Sequence, residues 1–198
     1  MKSKTQYTVS GIAFCIAAVL GIIQLFSMIA DSAYASSIAQ GITYVVSIIA
    51  FVLIAICFFI GKERSLWIGG IIVAAFFIYL CLVPIGDLLD CLDFALSFEI
   101  NYYVLRIAGH MLFALSGVLL LLIWAKGCGK SPLRTITGII ALLGAACVLL
   151  SNIVIVTKSA ELFADVSIYV IWTLCCVSVG IGLFIASLAP TLSSQFLK

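Results

Sequence analysis

The chain has 198 residues, 65% of them apolar and 9% charged, with a mean hydropathy of +1.36. Soluble domains carry about 25% charged residues, and a chain of this length has no interior large enough to hide so much apolar surface, so a water-soluble globular protein is excluded. The formal charge of +2 is spread over small groups of Lys and Arg with no basic stripe, which excludes a nucleic-acid-binding surface.

Apolar runs of about 20 residues match the hydrocarbon layer of a bilayer. Every backbone polar group must be satisfied internally there, which leaves helices or closed barrels, and the runs lack the period-two alternation of barrel strands. The sequence predicts an all-α membrane protein, one domain over residues 1–198. Its six transmembrane helices are expected at about 9–30, 38–60, 66–86, 103–125, 135–156 and 166–189.

Lys2 and Lys4 precede the first run, and Ala33-Tyr34-Ala35 looks like a signal cleavage site. A signal peptide's apolar region is only about 7–15 residues long, so this longer run reads as a true first helix. Pro84, near the end of the third run, is expected to end or kink that helix because it has no N–H to donate. Beyond it Asp87, Asp90 and Asp93 recur every three residues with Ser97 on the same face, and Leu88, Leu89, Leu92, Ala95 and Leu96 fall opposite. This predicts a short amphipathic helix near 87–98, lying on the outer membrane surface, whose acidic stripe would concentrate cations. Ser131-Pro132 supplies a cap and a first-turn proline for the fifth helix, and Pro190 stops the sixth. Trp67, Tyr102, Tyr103 and Trp124 fall where amphipathic rings favour the membrane interface.

Charge sets the expected orientation. With the N-terminus inside, Lys2, Lys4, Lys62, Arg64, Lys126, Lys130, Arg134 and Lys198 are cytoplasmic, leaving only Arg106 and Lys158 outside. The positive-inside rule therefore places both termini in the cytoplasm of a multi-pass protein of a bacterial-type cell membrane. The spans also read as three hairpin repeats. Gly11-Ile12, Gly70-Ile71 and Gly138-Ile139 open the odd spans, and Tyr44-Val45, Tyr103-Val104 and Tyr169-Val170 follow them by 33, 33 and 31 residues. Parallel repeats of this kind are related by an axis along the membrane normal.

Arg106 and His110 lie deepest of the ionisable residues in any run and, four apart, share one helix face. Ionisable residues in lipid are functional suspects. Arg106 either snorkels to Asp87, Asp90, Asp93 or Glu99, or faces inward to hold a carboxylate or phosphate. His110 lies about 12 Å into its helix, counted from Tyr102, too deep to snorkel. Gln24 and Asn152 are the other strongly polar residues within spans. Together with Arg106 and His110 they would outline an outward-facing ligand pocket, or else make separate interhelical contacts. Small-residue stripes at Gly11 and Cys15 and at Ser178, Gly182 and Ala186, and a similar stripe of Gly138, Ala141, Ala145 and Asn152, mark close helix contacts, within the bundle or with a second copy or partner subunit.

Other chemistry finds little support. One histidine and no carboxylate at its depth imply no metal site, and no cofactor is implied. Gly129-Lys130-Ser131 resembles the end of a phosphate-binding loop, but Trp124 stands where its first glycine belongs. No hydrolase motif is present, so an enzyme is not expected. The eight cysteines form no C-x-x-C pair, and six lie in apolar runs as small hydrophobes.

The plan of three parallel hairpins in under 200 residues resembles bacterial acid-resistance membrane proteins of the HdeD type. In size and span count the chain is also similar to the substrate-binding subunits of energy-coupling-factor vitamin transporters. The dense glycine pattern of the first family is thin in this chain, and no vitamin-pocket pattern of the second can be placed on it. The leading expectation is a transport-related protein that binds or passes a small solute or ion. A non-catalytic structural or stress-related membrane protein is the alternative, and a thiol-redox protein built on Cys175-Cys176 the third.

Overall fold

The computed structural model describes residues 2–30, 38–91, 97–126, 132–158 and 166–189. They form six helices: α1 (Lys2–Ala30), α2 (Ile38–Ile60), α3 (Glu63–Cys91), α4 (Ser97–Lys126), α5 (Pro132–Lys158) and α6 (Val166–Leu188). Each contains a stretch of 20 to 27 residues apolar enough to cross a membrane. The outward faces are Ile-, Leu- and Val-rich, with Phe26 as much as 66% exposed. The polar residues Ser10, Gln24, Ser47, His110, Ser116, Thr137, Asn152 and Ser178 point inward. Apolar residues outside and hydrogen-bonding groups inside are the arrangement lipid requires of a multi-pass membrane protein.

Each helix packs on its neighbours in the chain, and α1 closes against α6, so the six form a ring. Gly61 ends α2 at a φ of +61°, a left-handed conformation that glycine adopts without a Cβ clash. Its N–H returns to Cys57 O at 3.2 Å, and only Lys62 separates it from α3. An aromatic core fills the ring. Phe14 stacks on Phe58 at 5.6 Å, Phe51 meets Phe76 edge-on at 5.3 Å, and Phe77 lies 4.7 Å from Phe113 between ring centroids.

Small residues set the helix separations. A Cβ on Gly11 would meet Phe59 at 2.9 Å, one on Gly70 would meet Leu121 at 2.7 Å, and one on Gly138 would meet Phe184 at 2.6 Å. In each case the second helix of the same hairpin covers the glycine. The Ser178 and Gly182 stripe faces α1: Ser178 Oγ donates to Ala13 O at 2.8 Å, and Gly182 lies against Ala13 and Phe14. A close backbone approach joins α4 and α5, where a Cβ on Gly109 would sit 2.9 Å from Gly144 O and one on Gly144 3.0 Å from Gly109 O.

Residues 87–98 differ from expectation. Asp87 and Asp90 belong to α3, which continues to Cys91, and Ser97 already opens α4, so no separate amphipathic helix is present among the described residues. Asp93 lies outside them. Pro84 is accommodated inside α3 and does not end it. The carbonyl that loses its partner to a proline is four residues earlier, here Leu80 O, and the ring nitrogen His110 Nδ1 of α4 lies 3.1 Å from it. A donor from the neighbouring helix replaces the missing one, as transmembrane helices with internal prolines require. Cys81 is a free thiol on the same helix as Cys91. Ten residues of helix separate the two by about 15 Å, too far for a disulfide.

Candidate functional site

A cavity of about 220 Å³ opens at the end of the ring where α1, α3 and α5 finish and α2, α4 and α6 begin. Every helix contributes to its wall, among them Gln24 of α1, Tyr44 of α2, Asp87 of α3, Arg106 and His110 of α4, Ile155 of α5 and Trp172 of α6. Below it, Phe77 lies 6.1 Å from the His110 ring, so the cavity ends against the aromatic core.

Trp172, only 3% exposed, is the hub. The His110 ring meets it edge-on at 6.3 Å, the Tyr44 ring at 6.3 Å, and the Arg106 guanidinium carbon is 5.9 Å from its ring centroid. Arg106 also lies 5.6 Å from the Tyr102 ring centroid, and its Nη1 donates to the Tyr102 hydroxyl. The guanidinium is thus held between two aromatic rings by cation–π attraction. It faces the cavity, whose wall also holds Asp87 and Glu99.

Two neighbouring side chains have their donor and acceptor ends determined by what they touch. Leu80 O can only accept, so His110 Nδ1 carries the hydrogen in that bond. In the neutral imidazole Nε2 is then a bare acceptor, and it is buried with no hydrogen-bond partner. The Gln24 amide nitrogen lies 3.1 Å from Tyr44 Oη and 3.4 Å from Ile168 O. Because Ile168 O only accepts, the amide cannot be turned round, and the acceptor Oε1 is the end left buried and unpartnered. Arg106 Nε and the indole Nε1 of Trp172 are donors in the same condition.

The structure therefore gathers Arg106, His110, Gln24 and Asp87 around one cavity. Asn152 is not part of its lining. Its Nδ2 donates to Tyr169 O at 3.2 Å and to Thr173 Oγ1 at 2.6 Å, tying α5 to the turn of α6 that carries Tyr169 to the cavity. The Asp90 side chain and Asp93 fall outside the described residues. Among the described residues no three His, Cys, Asp or Glu side chains gather closely enough to hold a metal ion.

Sequence reasoning missed Trp172 and Tyr44, which inside apolar runs look like any other core aromatic. It also counted Arg134 as a loop cation. The structure buries Arg134 to 7% exposure in the first turn of α5, with Nε and Nη2 unpartnered. The Tyr7 hydroxyl and the Trp124 indole N–H adjoin each other near it, yet neither meets hydrogen-bond geometry.

Cys175 and Cys176 are wholly buried, and the Cys175 thiol points at Ala17 O at 3.5 Å. Thiol reactivity needs an accessible thiolate. Maleimide applied to the folded protein should therefore leave both unlabelled, and denaturation should expose both, as read by peptide mass spectrometry. Rapid labelling of the folded protein at either position would revive the thiol-redox reading. No protein-family model, curated protein or solved structure matches the chain.

Proposed function

We propose that this is a solute-binding membrane protein with a transport-related role, and that the end cavity is its binding site. One observation carries the reading: four buried hydrogen-bonding atoms without partners, Arg106 Nε, His110 Nε2, Gln24 Oε1 and Trp172 Nε1, belong to side chains of three helices that line one cavity. Buried polar groups are paired in the great majority of cases, and an unpaired one needs a specific reason. In lipid the need is sharper because no bulk water is at hand. A polar solute that enters the cavity and satisfies these atoms together is such a reason.

The positive-inside distribution supports an outward-facing cavity with both termini cytoplasmic. Tyr44, Tyr103 and Tyr169, the matched tyrosines of the three hairpins, all line the cavity. Together with the similarly covered Gly11, Gly70 and Gly138, they support a threefold repeat whose axis runs through the site. Binding at the axis of a parallel repeat would suit a protein that opens and closes by relative movement of its hairpins.

The alternative is a structural membrane protein, favoured by the interhelical bonds of His110 to Leu80, Gln24 to Tyr44 and Asn152 to Thr173. Native mass spectrometry of the protein released gently from its micelle separates the two. A solute-binding protein should carry one reproducible small-molecule mass, absent from Arg106→Gln and retained in Cys15→Ser, whose side chain faces outward. A wild type with no adduct beyond lipid would favour the structural reading.

A further inference from the structure

We infer that the cavity takes a small amino-acid-like zwitterion, its carboxylate on Arg106 and Trp172 and its ammonium on His110 Nε2 and Gln24 Oε1. This rests on reading the cavity as a solute site and names the class of solute.

The unpartnered set on the side chains lining the cavity comprises two N–H donors, Arg106 Nε and Trp172 Nε1, and two acceptors, His110 Nε2 and Gln24 Oε1. The acceptors cannot exchange roles with donors, since Leu80 O holds the His110 hydrogen on Nδ1 and Ile168 O holds the Gln24 nitrogen in place. A guanidinium with a second N–H donor nearby suits a carboxylate, whose two oxygens only accept. A plain anion would leave both acceptors facing oxygen lone pairs. A plain cation would leave both N–H donors without an acceptor. A neutral polyol offers hydroxyls to all four atoms but brings no charge to the guanidinium. A molecule with an anionic group and an N–H donor group satisfies all four atoms, with a charge-assisted bond to the guanidinium.

Three further features agree. Arg106 shares the cavity wall with Asp87 and Glu99, so the lining carries both signs of charge, one for each end of a zwitterion. Rings of Tyr44, Tyr102, Tyr103, Tyr169 and Trp172 surround the space, and aromatic faces attract an ammonium group. The volume of about 220 Å³ lies below the ~300–1,000 Å³ usual for drug-sized ligands, which limits the occupant to a small molecule.

Isothermal titration of the purified full chain in micelles tests the assignment with molecules of one size. L-Alanine carries both groups, propionate lacks the amine, ethylamine lacks the carboxylate, and L-lactate replaces the amine with a hydroxyl. The other common amino acids are titrated beside them. At least one amino acid should bind more than ~tenfold tighter than its deaminated and decarboxylated counterparts, because a site built around hydrogen-bonding groups rejects analogues that lack them. Arg106→Gln should abolish that binding. Trp172→Phe, which keeps an aromatic ring in the core and removes one N–H donor, should weaken it while the protein still folds. Propionate or ethylamine binding as well as the amino acid, with dependence on Arg106, would overturn the zwitterion and leave the solute site standing. Ordered water would be the occupant if neither these molecules nor a broad panel of sugars, nucleosides and inorganic anions bound, and the solute reading would fall as well.

Discussion

His110→Leu should lower the thermal unfolding midpoint of the protein in micelles, and adding Pro84→Ala should restore much of the loss. The wild-type histidine donates to Leu80 O, the carbonyl that Pro84 deprives of its helical partner. Leucine at 110 would leave that carbonyl unpaired next to the aromatic core. An unsatisfied buried group costs about 1–3 kcal/mol. Alanine at 84 supplies a backbone N–H at the position from which the α-helix reaches Leu80 O, so the carbonyl is paired again within α3. The two substitutions should therefore be non-additive by a similar ~1–3 kcal/mol, well beyond the few tenths expected of independent sites. Ligand binding should not return with stability, because the double variant still lacks His110 Nε2. Additive effects on the midpoint would show that Leu80 O is satisfied without His110.

Gly109→Ala should be destabilising by about 1–3 kcal/mol, the usual range for overpacking a filled interior. A Cβ there would lie 2.7 Å from Val148 Cγ2, 2.9 Å from Gly144 O and 3.2 Å from Val148 N. Two of these three atoms are backbone, so rotating a side chain cannot relieve the contact, and α4 must move away from α5. His110 follows Gly109 directly and Arg106 lies three residues before it, so the displacement carries both out of register with Trp172 on α6. Affinity for the solute should fall with stability even though Gly109 is not a lining residue. Gly86→Ala is the matched control, because nothing lies within 4 Å of its added Cβ. It should be neutral or slightly stabilising, since alanine is favoured over glycine in a helix by up to ~1 kcal/mol. Equal behaviour of the two variants in a thermal-shift comparison would mean that the α4–α5 contact is not a tight one.

Both predictions concern features with no local signature. The six helices were legible because about 20 consecutive apolar residues admit few structures in lipid, and this constraint acts on each run separately. Arg106, His110 and Gln24 were legible as candidates for the same reason, since a polar residue inside such a run stands out against its neighbours. Their meeting at one cavity could not be read from the runs. Helix rotation decides which way a side chain points, and rotation is set by packing between helices, such as the glycine contacts of Gly109 and Gly144. Asn152 illustrates the difference: it lay at a depth similar to Gln24, but the rotation of α5 turns it to Thr173 and Tyr169 O and away from the cavity.

Pro84 and Trp172 show where local reasoning stops. A proline in a helix reads as a break when its own helix is the only source of donors, and here the donor comes from His110 of α4, 26 residues further on. Trp172 reads as core because its ring is apolar, yet the same ring brings Arg106, His110 and Tyr44 together. By itself the sequence determined how many helices there are and which of their residues are costly to bury, because both follow from the chemistry of single segments in an apolar solvent. The tertiary structure alone decided which of those costly residues share a cavity and which of their atoms go without a partner, because donors, acceptors and rings pair across helices that are distant in the chain.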